Sequence, residues 1–237
     1  MVIMTTLGQH TLRSYDAQLQ HLTQLILDMG KEVCAQIIAA KQSFRMRDEQ
    51  RVANAKAADK HINDLDAQIE EAATVVLALQ NPMAVDLRFV ISVLKITSML
   101  ERAGDLAKNT VKRSVKMGEF APEPVIQKLE RMADAVAEML EAALAAFEQK
   151  DVNKAIEVWR RDEEIDDLYR EIFLQMQQDM ENDPKNVAAC THVVFAAKNL
   201  ERLADYTTNL AKSVYYVVSG KRADKSVLKN AAEDSTL

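Results

Sequence analysis

The pentapeptide Glu101-Arg102-Ala103-Gly104-Asp105 has a second, closely similar copy in this chain of 237 residues. The second copy, Glu201-Arg202-Leu203-Ala204-Asp205, differs at two positions and begins 100 residues later. A second matched segment precedes each copy: Asp59-Lys60-His61-Ile62-Asn63-Asp64-Leu65 in the first half and Asp162-Glu163-Glu164-Ile165-Asp166-Asp167-Leu168 in the second. Two matched segments in the same order in each half indicate a duplicated structural unit.

The composition of the chain favours helices. Aromatic residues make up 5% of the sequence and hydrophobic residues 48%, and glycine occurs only five times. Such a chain can build an apolar core, and its composition favours helices and argues against β-sandwiches and barrels. The net charge of -6 and the absence of a basic block argue against a protein that binds nucleic acid directly.

Hydrophobic residues at three- and four-residue spacing predict six long helices, with glycine or proline at their ends. The predicted helices cover 11–43, 48–79, 83–117, 125–149, 152–180 and 185–219. We therefore predict an all-α fold of two tandem antiparallel three-helix bundles related by the internal repeat. The first bundle is expected at 1–119, the second at 120–220, and a polar tail at 221–237.

Neither a signal peptide nor a membrane span is expected. Residues 85–100 come closest to an apolar run of the about 18 residues that a span needs, but charged residues interrupt them. The N-terminus lacks a basic segment followed by a long apolar run. Cys34 and Cys190 match no metal or disulfide motif, so we expect buried, reduced thiols in a cytoplasmic protein.

Acidic side chains recur at matched distances from the prolines between helices. Asp59 and Asp105 each lie 23 residues from Pro82, and Asn63 and Glu101 each lie 19 from it. Matched counts give matched heights along an antiparallel hairpin, so we expect these four side chains to form a first cluster. The same counting from the second proline predicts a second cluster of Asp162, Asp166, Glu201 and Asp205.

Both clusters are expected in an outer groove between two helices, because they lie away from the main apolar stripes. One interpretation is a solvated acidic face. The other is a bound cation, since like charges at this spacing repel unless they are neutralised. Oxygen ligands with no histidine in reach suit Mg²⁺, Mn²⁺, Ca²⁺ or iron. The sequence contains no nucleophile motif, phosphate loop or Glu-x-x-His motif, so we predict no catalytic residues.

Several segments resemble the PhoU family of phosphate-transport regulatory proteins, and the resemblance covers nearly the whole chain. They are 100–109, 199–209, Asp86-Leu87-Arg88 and Met29-Gly30. The resemblance implies two three-helix bundles and an accessory role that restrains the phosphate-starvation response when phosphate is plentiful. The implied partners are a sensor histidine kinase and the ATPase subunit of the phosphate ABC transporter, which would hold the protein at the membrane periphery. We also expect a homodimer.

Some members of this family bind metal through acidic pairs. These pairs map onto Glu101/Asp105, Glu201/Asp205, Asp162/Asp166 and, imperfectly, Asp59/Asn63, where one residue is neutral. We therefore expect the second cluster, with four carboxylates, to bind a cation more tightly than the first. A metal-storage protein or metal-dependent enzyme is the alternative, which the missing catalytic motifs disfavour.

Overall fold

The computed structural model describes residues 3–118, 120–224 and 227. The helices are α1 (Ile3–Ser43), α2 (Glu49–Gln80), α3 (Ala84–Lys116), α4 (Glu123–Gln149), α5 (Val152–Arg160), α6 (Asp162–Asn182) and α7 (Val187–Ser219), with a short 3₁₀ turn at Pro184–Asn186. None of the residues described forms a β-strand. The predicted all-α fold of tandem bundles is confirmed, while most of the predicted polar tail lies outside the described residues.

Helices α1–α3 form the first bundle and α4–α7 the second. The two bundles pack chiefly through α3 and α7, which run antiparallel. At one end of this pair Arg113 lies 3.2 Å from Nδ1 of His192, and at the other end Gly220 packs beside Arg88. Helices α1 and α4 also pack together across the repeats, so the core is continuous through both bundles.

The turn chemistry explains the two long hairpins. Asn81 ends α2 in the left-handed conformation, with φ of 47°, and Pro82 follows it. Asparagine adopts this conformation more readily than most residues, and proline cannot continue a helix. In the second hairpin Asp183 caps the 3₁₀ turn that Pro184 begins, its carboxylate accepting from the backbone N–H of Lys185.

The prediction of one continuous fifth helix at 152–180 is wrong. The structure divides this segment at Arg161 into α5 and α6. The backbone N–H of Arg161 bonds to the carbonyl of Val158, three residues back, and its side chain donates to Oε2 of Glu138 on α4. Helix α6 then starts with three acidic residues, which are favourable at a helix N-terminus. Asp162 is therefore the first residue of a new helix.

Large apolar side chains are exposed near both hairpin turns. The first hairpin tip consists of Val75, Leu79, Met83, Val85, Leu87 and Ile91. The second hairpin tip consists of Phe173, Leu174, Val187 and Phe195. Met83, at 80%, and Leu79, at 69%, are the most exposed large apolar side chains of the described residues. Exposed apolar surface of this kind is typical of sites that contact another molecule.

Candidate functional site

A lysine connects the two helices of the first cluster. Nζ of Lys108 lies 2.6 Å from Oδ2 of Asp59 on α2 and 2.5 Å from Oδ1 of Asp105 on α3. The side chains of Lys108 and Asp59 are each 14% exposed, so their ion pair is largely shielded from water. Burial disfavours the ammonium, but the hydrogen bonds to Asp105 and Asp59 outweigh it and raise the pKa of Lys108. The lysine is thus charged at neutral pH.

The other members of the first cluster have different surroundings. Glu101 is partly buried, and its pKa is raised by burial first and then by the charges of Asp105, Asp66 and Asp59. Asp66, which the counting did not select, is therefore part of this acidic groove. Asn63 is exposed on α2. The three carboxylates expected in the first cluster, Asp59, Glu101 and Asp105, thus lie together, with Asp66 as an additional member.

In the second cluster, three aspartates influence one another without a bridging lysine. Burial, and then the charges of Asp205 and Asp166, raise the pKa of Asp162, although Oγ1 of Thr208 donates to its Oδ1 at 3.2 Å. Burial and the charge of Asp166 likewise raise the pKa of Asp205. The three carboxylates from α6 and α7 are thus close enough to repel one another.

Glu201, the fourth member expected in the second cluster, has one satisfied and one unsatisfied carboxylate oxygen. Nζ of Lys198 donates to its Oε1 at 2.6 Å, from three residues earlier on the same helix. Its Oε2 is buried and has no hydrogen-bond partner within the described part of the chain. Lys212 places its ammonium 4.6 Å from the centre of the Trp159 ring, and its charge opposes the raised pKa values of Asp162 and Asp205. A buried carboxylate oxygen without a partner is costly, so it is a natural position for a cation to compensate.

The two clusters differ in the cation that lies nearest their carboxylates. Across the described residues, no group of three or more His, Cys, Asp or Glu side chains has the arrangement of a metal site. In the first cluster the ammonium of Lys108 contacts the oxygens that a metal would use. Cation binding by the second cluster, at Asp162, Asp166, Glu201 and Asp205, stays a prediction. Their oxygens are the ligand type that Mg²⁺, Ca²⁺ and Mn²⁺ prefer.

Neither His61 nor His192 joins a cluster. Nε2 of His61 is 4.0 Å from Glu32, and His192 lies beside Arg113. The charges of Arg102 and Arg202 oppose the raised pKa values of Glu101 and Asp205, respectively. Lys108 was missed, although its place three residues after Asp105 could have indicated it.

Fold and site together define a class: a duplicated helical protein in which each repeat carries an acidic groove between its last two long helices. The chain belongs to the PhoU family. The family model for the PhoU domain matches it twice, at residues 26–114 and 129–214.

Relatives and solved structures agree with this assignment. The chain is 38% identical over 214 residues to the phosphate-specific transport system accessory protein PhoU homolog of Caulobacter vibrioides, covering 90% of this chain and 93% of that protein. It is 35% identical to the homolog of Rhizobium meliloti, covering 89% and 90%. The crystal structure of PhoU from Pseudomonas aeruginosa superposes with a TM-score of 0.82 at 28% identity, covering 87% of this chain and 100% of that one.

None of the described helices combines the length and the apolar character that crossing a bilayer requires.

Proposed function

We propose that this protein is an accessory component of phosphate transport that restrains the phosphate-starvation response when phosphate is plentiful. One observation carries the proposal: relatives named as phosphate-specific transport system accessory proteins match about nine-tenths of the chain, including both repeats. A match over both repeats includes both acidic grooves and both hairpins, so it concerns the whole architecture and not one motif.

The proposed partners are a sensor histidine kinase and the ATPase subunit of the phosphate ABC transporter, met at the cytoplasmic side of the membrane. The exposed side chains of the first hairpin tip support docking of this kind. Apolar groups at a helical surface gain free energy when a partner covers them, by about 25 cal/mol for each Å² removed from water. A homodimer is part of the same proposal, because such surfaces also suit contact between identical chains.

The second cluster is proposed to bind a hard cation, Mg²⁺, Mn²⁺, Ca²⁺ or iron. Mutual repulsion of Asp162, Asp166 and Asp205 and the unsatisfied oxygen of Glu201 support this assignment. A divalent ion would relieve the repulsion and provide the missing partner. The cation would hold α6 against α7 and so keep the second hairpin in one conformation.

The protein is proposed to act by binding and not by turnover. Both thiols are poor nucleophiles: burial, and then the charge of Glu141, raise the pKa of Cys34 to about 12, and burial raises that of Cys190. A thiol must ionise to attack, so these cysteines are inert at neutral pH. They serve as small apolar residues in the core.

A reporter of a phosphate-starvation promoter tests the regulatory proposal. Deletion of the gene should switch the reporter on in high-phosphate medium, and the wild-type gene on a plasmid should silence it again. A deletion strain whose reporter stays silent in high phosphate would refute the proposal. Assays of the purified, metal-loaded protein with phosphate esters provide the second arm, and turnover at a physiological rate would contradict a purely accessory role.

A further inference from the structure

Helices α3 and α7 form a pocket of about 310 Å³ where they pack together, at the end of the pair where α7 ends. Helix α3 contributes Ser92 and Lys95 to this seam pocket, α7 contributes Lys212 and Tyr216, and Arg222 follows α7. Small-molecule sites in proteins have volumes of about 300–1,000 Å³, so the seam pocket is large enough for a small ligand. It lies between the two repeats and includes no member of either acidic cluster.

The seam pocket is basic, although the whole chain has a net charge of -6. Lys95, Lys212 and Arg222 line it, and none of the described residues that line it is an aspartate or a glutamate. Asp224 follows Arg222 by two residues but is not part of the lining. Cations that share one concave surface attract anions to it, so the charge of the pocket selects a negatively charged ligand.

The three cations differ in how far they are already engaged. The ammonium of Lys212 lies 4.6 Å from the centre of the Trp159 ring, and its charge also acts on Asp162 and Asp205. Lys95 and Arg222 are exposed at the pocket. These two residues therefore provide most of the positive charge that the pocket offers to a ligand, and Lys212 adds to it.

A buried hydroxyl in the pocket wall lacks a partner. Ser92 is only 1% exposed, and its Oγ has no hydrogen-bond partner within the described part of the chain. Thr97 and Thr110, also buried on α3, donate to the carbonyls four residues earlier at 2.8 and 2.9 Å. An unpaired buried hydroxyl is costly, so a ligand oxygen in the seam pocket would provide the acceptor that Ser92 lacks.

The seam pocket continues into an adjoining compartment of about 460 Å³. Lys95, Met99 and Asn209 line both spaces, and the adjoining compartment adds Leu94 and Tyr206. Leu94 and the ring of Tyr206 provide apolar surface against which a flat ring can pack. An inorganic anion would occupy the basic space alone, whereas an anion attached to an organic group can use both.

We infer that the seam pocket binds the phosphoryl group of a small organic phosphate, with the phosphoryl oxygens at Lys95, Arg222 and the hydroxyl of Ser92. A phosphoryl group carries about two negative charges at neutral pH and accepts hydrogen bonds at its terminal oxygens. These properties match two cations and an unpaired donor. The organic part of the ligand lies towards Tyr206. The inference goes beyond the proposed function and depends neither on the cation site nor on the regulatory role.

Calorimetric titration of the full chain at pH 7 and constant ionic strength tests the inference. The probes are AMP, inorganic phosphate and adenosine, which separate the phosphoryl group from the organic part. AMP should bind saturably, inorganic phosphate roughly tenfold more weakly, and adenosine without measurable heat. Phosphate that binds as tightly as AMP would refute the role of the adjoining compartment. Absence of saturable binding by both AMP and phosphate would overturn the whole inference.

Charge removal locates the bound AMP. Lys95→Gln and Arg222→Gln should each weaken AMP binding by roughly tenfold, because each removes a charged hydrogen-bond donor. Lys116→Gln is the matched control, since it removes a lysine from the other end of α3, outside the pocket, and should bind AMP like wild type. Unchanged affinity in both pocket variants would place AMP elsewhere on the protein and overturn the inference.

Ser92→Ala distinguishes a ligand-binding hydroxyl from a structural one. The substitution should weaken AMP binding by roughly fivefold yet raise the Tm of the free protein, because it removes an unpaired buried polar group. Ser213→Ala is the control within the pocket: its Oγ already donates to the carbonyl of Asn209 at 3.0 Å, so AMP affinity should change by less than about twofold. A lower Tm together with unchanged AMP affinity in Ser92→Ala would exclude Ser92 from the site.

Discussion

Gly30 of α1 lies directly against Leu144 of α4, so closely that a Cβ atom placed on Gly30 would be 2.5 Å from both methyl carbons of Leu144. Carbon atoms in proteins do not pack at that distance, and the contact joins a helix of the first repeat to a helix of the second. Glycine is costly within a helix, yet α1 continues through this residue to Ser43. The close approach of the two repeats explains why glycine is accommodated here.

Substitution of this glycine should destabilise the protein. Gly30→Ala gains about 1 kcal/mol of helix propensity but overpacks a buried interface, which typically costs about 1–3 kcal/mol. We expect a net loss of about 1 kcal/mol, or a fall in Tm of about 2–4 °C for a chain of this size, measured by thermal melting. Gly104→Ala is the matched comparison, because its new Cβ would meet one atom, Cδ1 of Ile62, at 2.8 Å, whereas that of Gly30→Ala would meet two methyl carbons of Leu144 at 2.5 Å, and the second repeat already has Ala204. A Gly30→Ala protein as stable as Gly104→Ala would contradict the packing argument.

Removal of one charge from the second cluster should stabilise the metal-free protein. Burial is the main reason that the charged form of Asp162 is disfavoured in the folded protein, and the charges of Asp205 and Asp166 add to it. Asparagine at position 162 can still accept from Thr208 but carries no charge. Like charges at such spacing cost a few tenths of a kcal/mol each, so Asp162→Asn should raise the free energy of unfolding by about 0.5 kcal/mol in a chelating buffer. Urea titration would measure the difference. A lower free energy of unfolding for the variant would mean that Asp162 is stabilising as a carboxylate.

The same residue predicts a pH dependence with a definite sign. Because the pKa of Asp162 is higher in the folded protein than in the unfolded chain, the folded state holds its proton more tightly. The charged form of Asp162 destabilises the folded protein. This destabilisation is absent below the pKa of Asp162 in the unfolded chain and fully present above its raised pKa in the folded protein, so it develops as pH rises between these two values. The stability advantage of Asp162→Asn over wild type should therefore grow as pH rises from about 4 to 7. An advantage that is constant over this interval would exclude Asp162 as its source.

Thiol chemistry gives a simple check of the core. Cys34 and Cys190 are buried, and their raised pKa values keep them protonated. Ellman's reagent should react with neither thiol in the native protein on the time scale on which both react in urea, with a rate at least about a hundredfold lower. Rapid reaction of one thiol in the native protein would show that its helix opens locally.

The first hairpin tip should matter for regulation and not for stability. Leu79→Glu and Met83→Glu change side chains that are mostly exposed, so the free energy of unfolding should stay within about 0.5 kcal/mol of wild type. Both should lose repression of the phosphate-starvation reporter and retention by an immobilised sensor kinase. Met46→Glu is a suitable control, since Met46 is 60% exposed in the turn between α1 and α2, away from this tip. Full repression by Leu79→Glu and Met83→Glu would exclude the tip as a docking surface.

The long elements and their pairing could be predicted from the sequence, for physical reasons. Apolar periodicity determines which face of a helix is buried, and Pro82 and Pro184 end helices whatever surrounds them. Because helical rise is constant, counting from Pro82 correctly placed Asp59 and Asp105 at one height, where both contact Lys108. The fold class and the register of the hairpins therefore follow from apolar periodicity, proline positions and helical rise, which can all be read from the sequence.

Other features depend on contacts between helices, which the local sequence does not predict. The break at Arg161 involves neither proline nor glycine, and the side chain of Arg161 bonds to Glu138 on another helix. The role of Lys108 depends on its rotamer and burial, because a lysine three residues from an aspartate is common on exposed helix faces. The approach of Asp66 to Glu101 likewise depends on how α2 rotates against α3.

The antiparallel packing of α3 against α7 sends the two hairpins in opposite directions. The first hairpin tip begins where α7 ends, near Gly220, and the second begins where α3 ends, near Arg113. Helix α7 has 33 residues, so at about 1.5 Å per residue the two apolar tips are separated by about 50 Å of helix. The two exposed apolar tips therefore lie at opposite ends of the α3–α7 pair, so that two proteins which each covered one tip would be held near each other without any contact between them.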